Sequence, residues 1–369
     1  MSYCRLWGWV WSVLALAFVA ACAPQKPSRF VSESIPVADG VSLYTTEAQP
    51  DGAVGGPGIE RLQADIESAL LKRGDHAQAD GGLGATASWL LNELNQGHAV
   101  DSGAVEVASR RYGFAGVLSS FAGFGIDQSD AWRDQLERVA GNMPITRYGI
   151  RVSPSGRSAA VIFGSVELSY EAIPRALEPG QSVSVKGEVG PRFSSAHVYL
   201  TKPDGTVDDK RMPKRAIDAS FALQAAGKYR LETMGDGVSG PVVLSNVPLY
   251  VGVPEAVASV VTGAVLAPEE AEARALVLLN EARTAAGLNK VQPDAELREI
   301  ALAHSTDMVD HNFVGHVSPT TGTPLDRVRR SGALVPAFGE NVGTAATPEL
   351  VHEGLMDSPG HRANMLRPD

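Results

Sequence analysis

The sequence predicts an α+β multidomain protein, and three changes of pattern along the chain predict it. Apolar residues fall at helical spacing from Ile59 to Leu71, alternate with a period of two between about Ala172 and Val253, and return to helical spacing after Pro268. At 369 residues the chain is long enough for two or three cores of ordinary size. The expected divisions are 1–21, 22–57, 58–171, 172–253, 254–267 and 268–369. A formal net charge of −10, with Arg327, Arg329 and Arg330 as only a short basic cluster, excludes nucleic acid as a natural partner.

The first division reads as an export signal. Arg5 is positive, Leu6 to Phe18 is almost wholly apolar, and Val19-Ala20-Ala21-Cys22 ends the run in small residues before a cysteine. The apolar run is short for a membrane span. The pattern resembles a bacterial lipoprotein signal, which implies cleavage before Cys22, lipidation of its sulfur and attachment to a membrane. An uncleaved N-terminal anchor is the alternative. Ala23, rather than Asp, follows the cysteine, which implies the outer membrane in a Gram-negative cell. Cys4 and Cys22 are the only cysteines, so no thiol remains for a disulfide or a metal. Residues 22–57, rich in Pro, Gly and small polar residues, read as a flexible tether.

In residues 58–171, Ile59, Leu62, Ile66, Leu70 and Leu71 predict a first helix stopped at Arg73-Gly74. Trp89–Leu94 and Trp132–Val139 predict two more. Arg147–Val152 and Ala159–Gly164, joined through Pro154-Ser155-Gly156, predict a hairpin. Between 172 and 253, short strands are expected at 183–187, 197–201, 221–223, 229–232 and 242–244. Turns are expected at Pro179-Gly180, Pro203-Asp204-Gly205, Ala226-Gly227 and Gly235-Asp236-Gly237. This density of strands predicts an antiparallel β-sandwich of Ig-like architecture without the Cys-Trp-Cys signature. Its expected role is a spacer. After Pro268, Glu269 and Glu270 suit a helix start, and Leu276, Leu279 and Ala282 line one face before Gly287. Asp294 is placed to cap a second helix with the stripe Leu297, Ile300, Ala301, His304 and Met308. Thr323-Pro324 and Thr347-Pro348-Glu349 open two shorter helices.

Four strings in this last part carry the chemistry: Leu279–Arg283, His311–Pro319, Phe338–Gly343 and Ser358–Asn364. In that order they resemble the CAP superfamily of cysteine-rich secretory proteins, antigen 5 and plant pathogenesis-related proteins, in its bacterial branch. The resemblance implies an α-β-α sandwich (SCP domain) with a cleft of two histidines and two acids, which in several members holds a divalent metal. Carried over by position, His316 and His361 match the histidines and Glu340 matches one acid. Ser358 stands at the second acid's place, and Leu355 where a Trp is usual. The implied cleft is therefore His316, Glu340, Asn341, Ser358 and His361, with His316 and His361 as ligands for Zn²⁺ or another divalent cation. The hairpin of 147–164 also faintly resembles the closing part of that fold, beside the plainer reading of an unrelated α+β domain. Bacterial members run on into two closing strands after the segment matching Ser358–Leu366. This chain stops at Asp369, so the helix faces around Leu279 and Ile300 are expected to lack a sheet, as in a fragment or an unstable module.

Plainer roles stand beside these. Glu340 can accept hydrogen bonds from loop N–H groups, His361 and Arg362 can cap the preceding helix, and Asn341 and Asn364 can fasten loops. His304 and His311 read as hydrogen-bonded core histidines. His352-Glu353 begins like a zincin helix, but Met356 occupies the place of its second histidine, so that reading fails. Three functions follow. The leading one is an envelope lipoprotein that binds a lipid or other small amphipathic ligand, with or without a metal. The others are a metal-assisted, peptidase-like hydrolase using His316, His361 and Glu340, and an adhesion or scaffold protein acting through the sandwich.

Overall fold

The computed structural model describes residues 9–14, 41–50, 57–98, 100, 102–126, 131–139, 143–238, 240–255, 266–333, 338–345 and 347–368. Cys22, most of the expected tether and most of the last linker lie outside the described residues; of the tether, residues 41–50 and 57 are described. The chain divides into two compact units, one of 28–237 with 242–260 and one of 1–27, 238–241 and 261–369. Strand β1 (Trp9–Leu14) belongs to the second.

In the first unit, β2 (Leu43–Tyr44) precedes α1 (Pro57–Arg73), which has Pro at its start, Glu60 in its first turn and Lys72 and Arg73 in its last, all matched to the helix dipole. Its buried stripe is Ile59, Leu62, Ile66 and Leu70, as the spacing predicts. After β3 (Gln78–Ala79), Asp80 caps α2 (Gly81–Asn95) by accepting from the Leu83 N–H at 3.0 Å. Then follow α3 (Ser102–Arg111), β4 (Val117–Gly125), α4 (Ala131–Arg138), β5 (Arg147–Val152) and β6 (Ser158–Ser165). The sheet order is β3-β5-β6-β4, with β5 and β6 forming the expected antiparallel hairpin. Helix α2 lies so close to β5 that a Cβ on Gly149 would stand 2.1 Å from the carbonyl carbon of Leu83. Sequence reasoning missed α3, whose apolar residues are few and small, and β4, whose Ser and Gly weaken the strand signal.

The same unit continues through β7 (Leu168–Tyr170), β8 (Ile173–Pro174), β9 (Ala176–Leu177), β10 (Ser182–Val189), β11 (Phe193–Thr201), β12 (Val207–Met212), β13 (Ala216–Ala222), β14 (Gly227–Gly237) and β15 (Gly240–Val251). They form a three-stranded sheet, β13-β10-β7, and a five-stranded one, β12-β11-β14-β15-β9, while β8 pairs antiparallel with β2. Alternating residues such as Ile217, Ala219 and Phe221 join Val183, Val185, Val198, Leu200 and Leu231 in one core. One expectation needs correction and one strand was not expected. Gly235–Gly237 is not a turn but the end of β14, and the charged segment Val207–Met212 is an added edge strand.

The second unit holds α5 (Pro268–Ala285), α6 (Ala295–Asp310), α7 (Pro324–Ser331), β16 (Gly339–Thr344), α8 (Pro348–Asp357) and α9 (Pro359–Met365). The three predicted helix starts are capped: Asp294 accepts from Leu297 N–H, Thr323 and Asp326 make a reciprocal capping box, and Thr347 accepts from Leu350 N–H. The expectation that the helix faces lack a sheet is corrected. Strand β16 pairs in parallel with β1, Glu340 opposite Val10, and α5 and α6 pack on β1. Leu279 is fully buried and Ile300 is 8% exposed. Residues 9–14 fall inside the expected leader, so this pairing describes the chain before any cleavage. Among the described residues no helix is long and apolar enough to cross a membrane.

One succession occurs in both units. A first helix ends at a left-handed glycine (Gly74, φ 91°; Gly287, φ 72°), and an Asp caps the second (Asp80; Asp294). A left-handed residue ends the second helix (Gly97, φ 80°; Asn312, φ 49°) and another follows the third (Gly113, φ 83°; Gly332, φ 81°). A strand and a fourth helix follow, β4 with α4 and β16 with α8.

Gly149→Ala forces backbone apart where α2 meets β5 and is expected to cost about 1–3 kcal/mol, as overpacking does. Gly58→Ala, with nothing within 4 Å, is expected to leave the midpoint of chemical denaturation unchanged or slightly raised.

Candidate functional site

The site lies in the second unit, where the α6–α7 connection, the start of β16 and the first turn of α9 meet. His316 sits in that connection. The ring of His304, fully buried on α6, bonds the Gly315 carbonyl at 3.0 Å through Nε2 and so holds the backbone just before it. From α7, Arg327 Nη1 donates to the carbonyls of His316 (3.0 Å) and Gly322 (2.9 Å). Glu340, the second residue of β16, is the junction. Its Oε1 lies 2.8 Å from His316 Nδ1, and its Oε2 accepts from Arg327 Nη2 at 2.6 Å. The Glu340 and Arg327 side chains are 5% and 4% exposed, so this is a buried, charge-assisted pair.

His361 arrives from the other side. Pro359 at the start of α9 places it in that helix's first turn, with Nδ1 2.8 Å from Ser358 Oγ. Asn341 Nδ2 donates to the His361 carbonyl (3.1 Å), and Asn364 Nδ2 donates to the Glu340 carbonyl (3.2 Å) and Asn341 Oδ1 (3.0 Å). These two amides tie strand to helix across the site.

The charges follow from these contacts. Burial pushes the Glu340 carboxyl up, but the His316 hydrogen bond and the Arg327 guanidinium outweigh it and hold the group below the usual carboxylate range. Burial first, and then the charge of His316, push His361 down to about 4. His361 is therefore a neutral imidazole at neutral pH. Each ring has Nδ1 occupied, by Glu340 or by Ser358. Neither Nε2 has a hydrogen-bond partner among the described residues. A carboxylate behind one nitrogen fixes the tautomer that frees the other nitrogen's lone pair, the usual backing of a metal-ligating histidine. The donor set thus fits a divalent cation of borderline softness such as Zn²⁺. Among the described residues no three His, Cys, Asp or Glu side chains stand together to share an ion, so the fit is for two protein ligands and exchangeable binding.

All five expected residues, His316, Glu340, Asn341, Ser358 and His361, come together. Three plainer roles change. Glu340 accepts from side chains and not from loop N–H groups. His361 lies inside α9 and does not cap α8. His311 is hydrogen-bonded to Asp307 but its side chain is 47% exposed, so it is no core histidine. His304 is one, and Asn341 and Asn364 are fasteners. The sequence shows Arg327 only as part of a short basic cluster; the missed signal is its place beside Val328, one of few apolar residues on α7. His352 stands apart from the site, on α8.

In this unit helices pack on a small sheet, and two histidines and a glutamate converge at the start of β16. The family model for the cysteine-rich secretory protein family, CAP, matches residues 276–369. This C-terminal module belongs to the CAP superfamily, in its bacterial branch. The chain is 39% identical over 99 residues to the uncharacterized protein YkwD of Bacillus subtilis (strain 168), covering 27% of this chain and 38% of that one. It is 35% identical over 104 residues to the uncharacterized membrane protein YlbC of the same organism, covering 27% and 29%. The chain thus spans well under half the length of either relative. A crystal structure of an extracellular protein containing a SCP domain from Bacillus anthracis str. Ames shares 17% identity at a TM-score of 0.26, over 55% of this chain and 80% of that one.

Two outcomes follow. Arg327→Met strands a buried carboxylate and is expected to destabilise the module by about 3–5 kcal/mol. Adding Glu340→Gln is expected to recover part of that loss, as read by amide hydrogen exchange in α6 and α7. His361 has its folded pKa depressed from 6.5 to about 4, so the unfolded chain takes up its proton first. With a chelator present, the stability from this neutral ring is intact above about pH 6.5 and lost as pH falls toward 4; His361→Gln is expected to flatten that slope in calorimetric scans.

Proposed function

We propose that this protein is a cell-envelope lipoprotein, held to a membrane through Cys22, whose extracytoplasmic CAP module binds a small amphipathic or lipid ligand at the His316–His361 pair, with a divalent cation as an exchangeable partner. The observation that carries binding over hydrolysis is the occupancy of Glu340. A general base needs a carboxylate oxygen free to take a proton from water. Here His316 holds one oxygen and Arg327 the other, and the charge of Arg327 lowers the basicity of the group further. Ser358, at the second acid's place, supplies no replacement base; it supports the His361 ring. What remains are the two imidazole Nε2 atoms, free of hydrogen-bond partners among the described residues, which can hold a cation or meet a ligand's polar end.

The amphipathic ligand class comes from the resemblance to lipid-binding family members. The anchor comes from the lipoprotein pattern ending at Cys22, and an outer-membrane address from Ala23 behind it. His316 and His361 would hold the metal, Glu340 and Ser358 would orient the rings, and the bound ion would supply a Lewis-acidic contact for the ligand's polar group.

Native mass spectrometry of the detergent-solubilised full chain tests this beside the double variant His316→Ala, His361→Ala. The expected spectrum shows one Zn²⁺ per chain, and a co-purified lipid mass, in the parent and neither in the variant. A bare polypeptide in both, after incubation with Zn²⁺ and envelope lipid, would overturn the reading. Hydrolysis of a peptide or ester library that Glu340→Gln abolishes would replace it with the hydrolase.

A further inference from the structure

Asp307 sits in the last turn of α6, the end where a helix dipole disfavours an anion, and its side chain is 8% exposed. Burial alone pushes its carboxyl up, yet its partners hold it below the ordinary carboxylate value. All of those partners lie on the connection that carries His316. Ser318 Oγ donates to Oδ2, Thr320 Oγ1 donates to Oδ1 at 2.6 Å, and Thr321 Oγ1 donates to Oδ2 at 3.3 Å. His311 Nδ1 stands 2.8 Å from Oδ1. Ser318 Oγ in turn accepts from the N–H groups of Thr320 (2.9 Å) and Thr321 (2.8 Å). Reciprocal backbone bonds between Ser318 and Gly322, at 2.9 and 3.1 Å, close the turn.

A surface turn of Ser, Pro, Thr and Gly holds itself together without a carboxylate. Here three hydroxyls and a histidine converge on one buried charge, beyond what the turn requires. The turn begins two residues after His316, whose carbonyl is held on its other flank by Arg327. The backbone of His316 is thus clamped from both sides, while Glu340 fixes its ring.

We propose that Asp307 is a positioning residue for the binding site: it latches the Ser318–Gly322 turn so that His316 presents Nε2 toward the space shared with His361. This rests on the His316–His361 reading above. Asp307 touches no ligand. Asp307→Asn keeps the shape but loses the charge and one acceptor, so the hydroxyls lose their common partner and His316 loses one clamp.

The test is Zn²⁺ titration of the full chain by calorimetry, on the parent, Asp307→Asn, His316→Ala and the double variant. Asp307→Asn is expected to weaken Zn²⁺ binding about tenfold with stoichiometry kept, as loss of an outer-shell support does. With His316 already gone, Asp307→Asn should weaken binding no further, since it acts through that ring. A merely structural role would give equal losses in both backgrounds, and that result, or parent-like affinity in Asp307→Asn, overturns the proposal. Ser318→Ala and Thr320→Val leave the charge and remove its donors, and smaller losses in the same direction are expected should Asp307→Asn fail to fold. If the parent takes up no Zn²⁺, the binding reading fails by itself. The latch is then read from the ring ¹⁵N shifts of His316, which are expected to lose their Glu340-bonded signature in Asp307→Asn or, should it fail to fold, in Ser318→Ala. Unchanged shifts there overturn it.

Discussion

The buried pair of Arg327 and Glu340 is the interaction on which the C-terminal module's site depends. It joins three segments with few other reasons to stay together. Glu340 is on β16, Arg327 is on α7, and the guanidinium also holds the backbone of the connection that carries His316. Stability alone does not account for it, because a buried ion pair rarely outperforms well-packed apolar residues. Geometry does. The two charged forks fix the distance between strand and helix, and the second Glu340 oxygen fixes the His316 ring.

The electrical balance follows from the same pair. Arg327 and His316 share the two oxygens of Glu340 and hold its carboxyl below the usual range. Burial then keeps His361 neutral. A free carboxylate there would make the site an acid–base device; a spent one leaves two lone-pair donors. Arg327, a residue outside the motif strings, is thus the neighbour on which the proposed reading turns.

Much of this was legible in the sequence, for a physical reason. His316, Glu340, Asn341, Ser358 and His361 lie in short strings whose order carries the family resemblance, and helix starts are written in Pro, Asp and Thr at fixed offsets. What was not legible depends on direction in space. Arg327, Arg329 and Arg330 are one charge run in sequence, yet only Arg327 is buried while the other two are exposed. Asp307 carries no signal in the sequence because its partners lie beyond the helix end. The run around Trp9–Leu14 has no period that separates a leader's apolar core from a strand, and the structure pairs it with β16. Strands β4 and β12 form against neighbours, since their own Gly, Ser and charged residues do not favour extended chain.

The succession shared by the two units separates what makes the scaffold from what makes the site. Capping Asp80 and Asp294, and the left-handed residues that end each helix, recur at matching points, so the local chemistry of helix ends can carry the architecture without any site residue. The site residues do not recur. In the first unit the second and third helices are joined by 96–101, in the second by the longer 311–323. The second residue of the following strand is Leu118 in one and Glu340 in the other. His98, the histidine of the shorter connection, pairs at 2.7 Å with Glu93 of its own helix and closes that helix end. The side-chain cluster of His316 and Glu340 is therefore an elaboration of one connection and one strand position, laid on a framework whose caps hold without it.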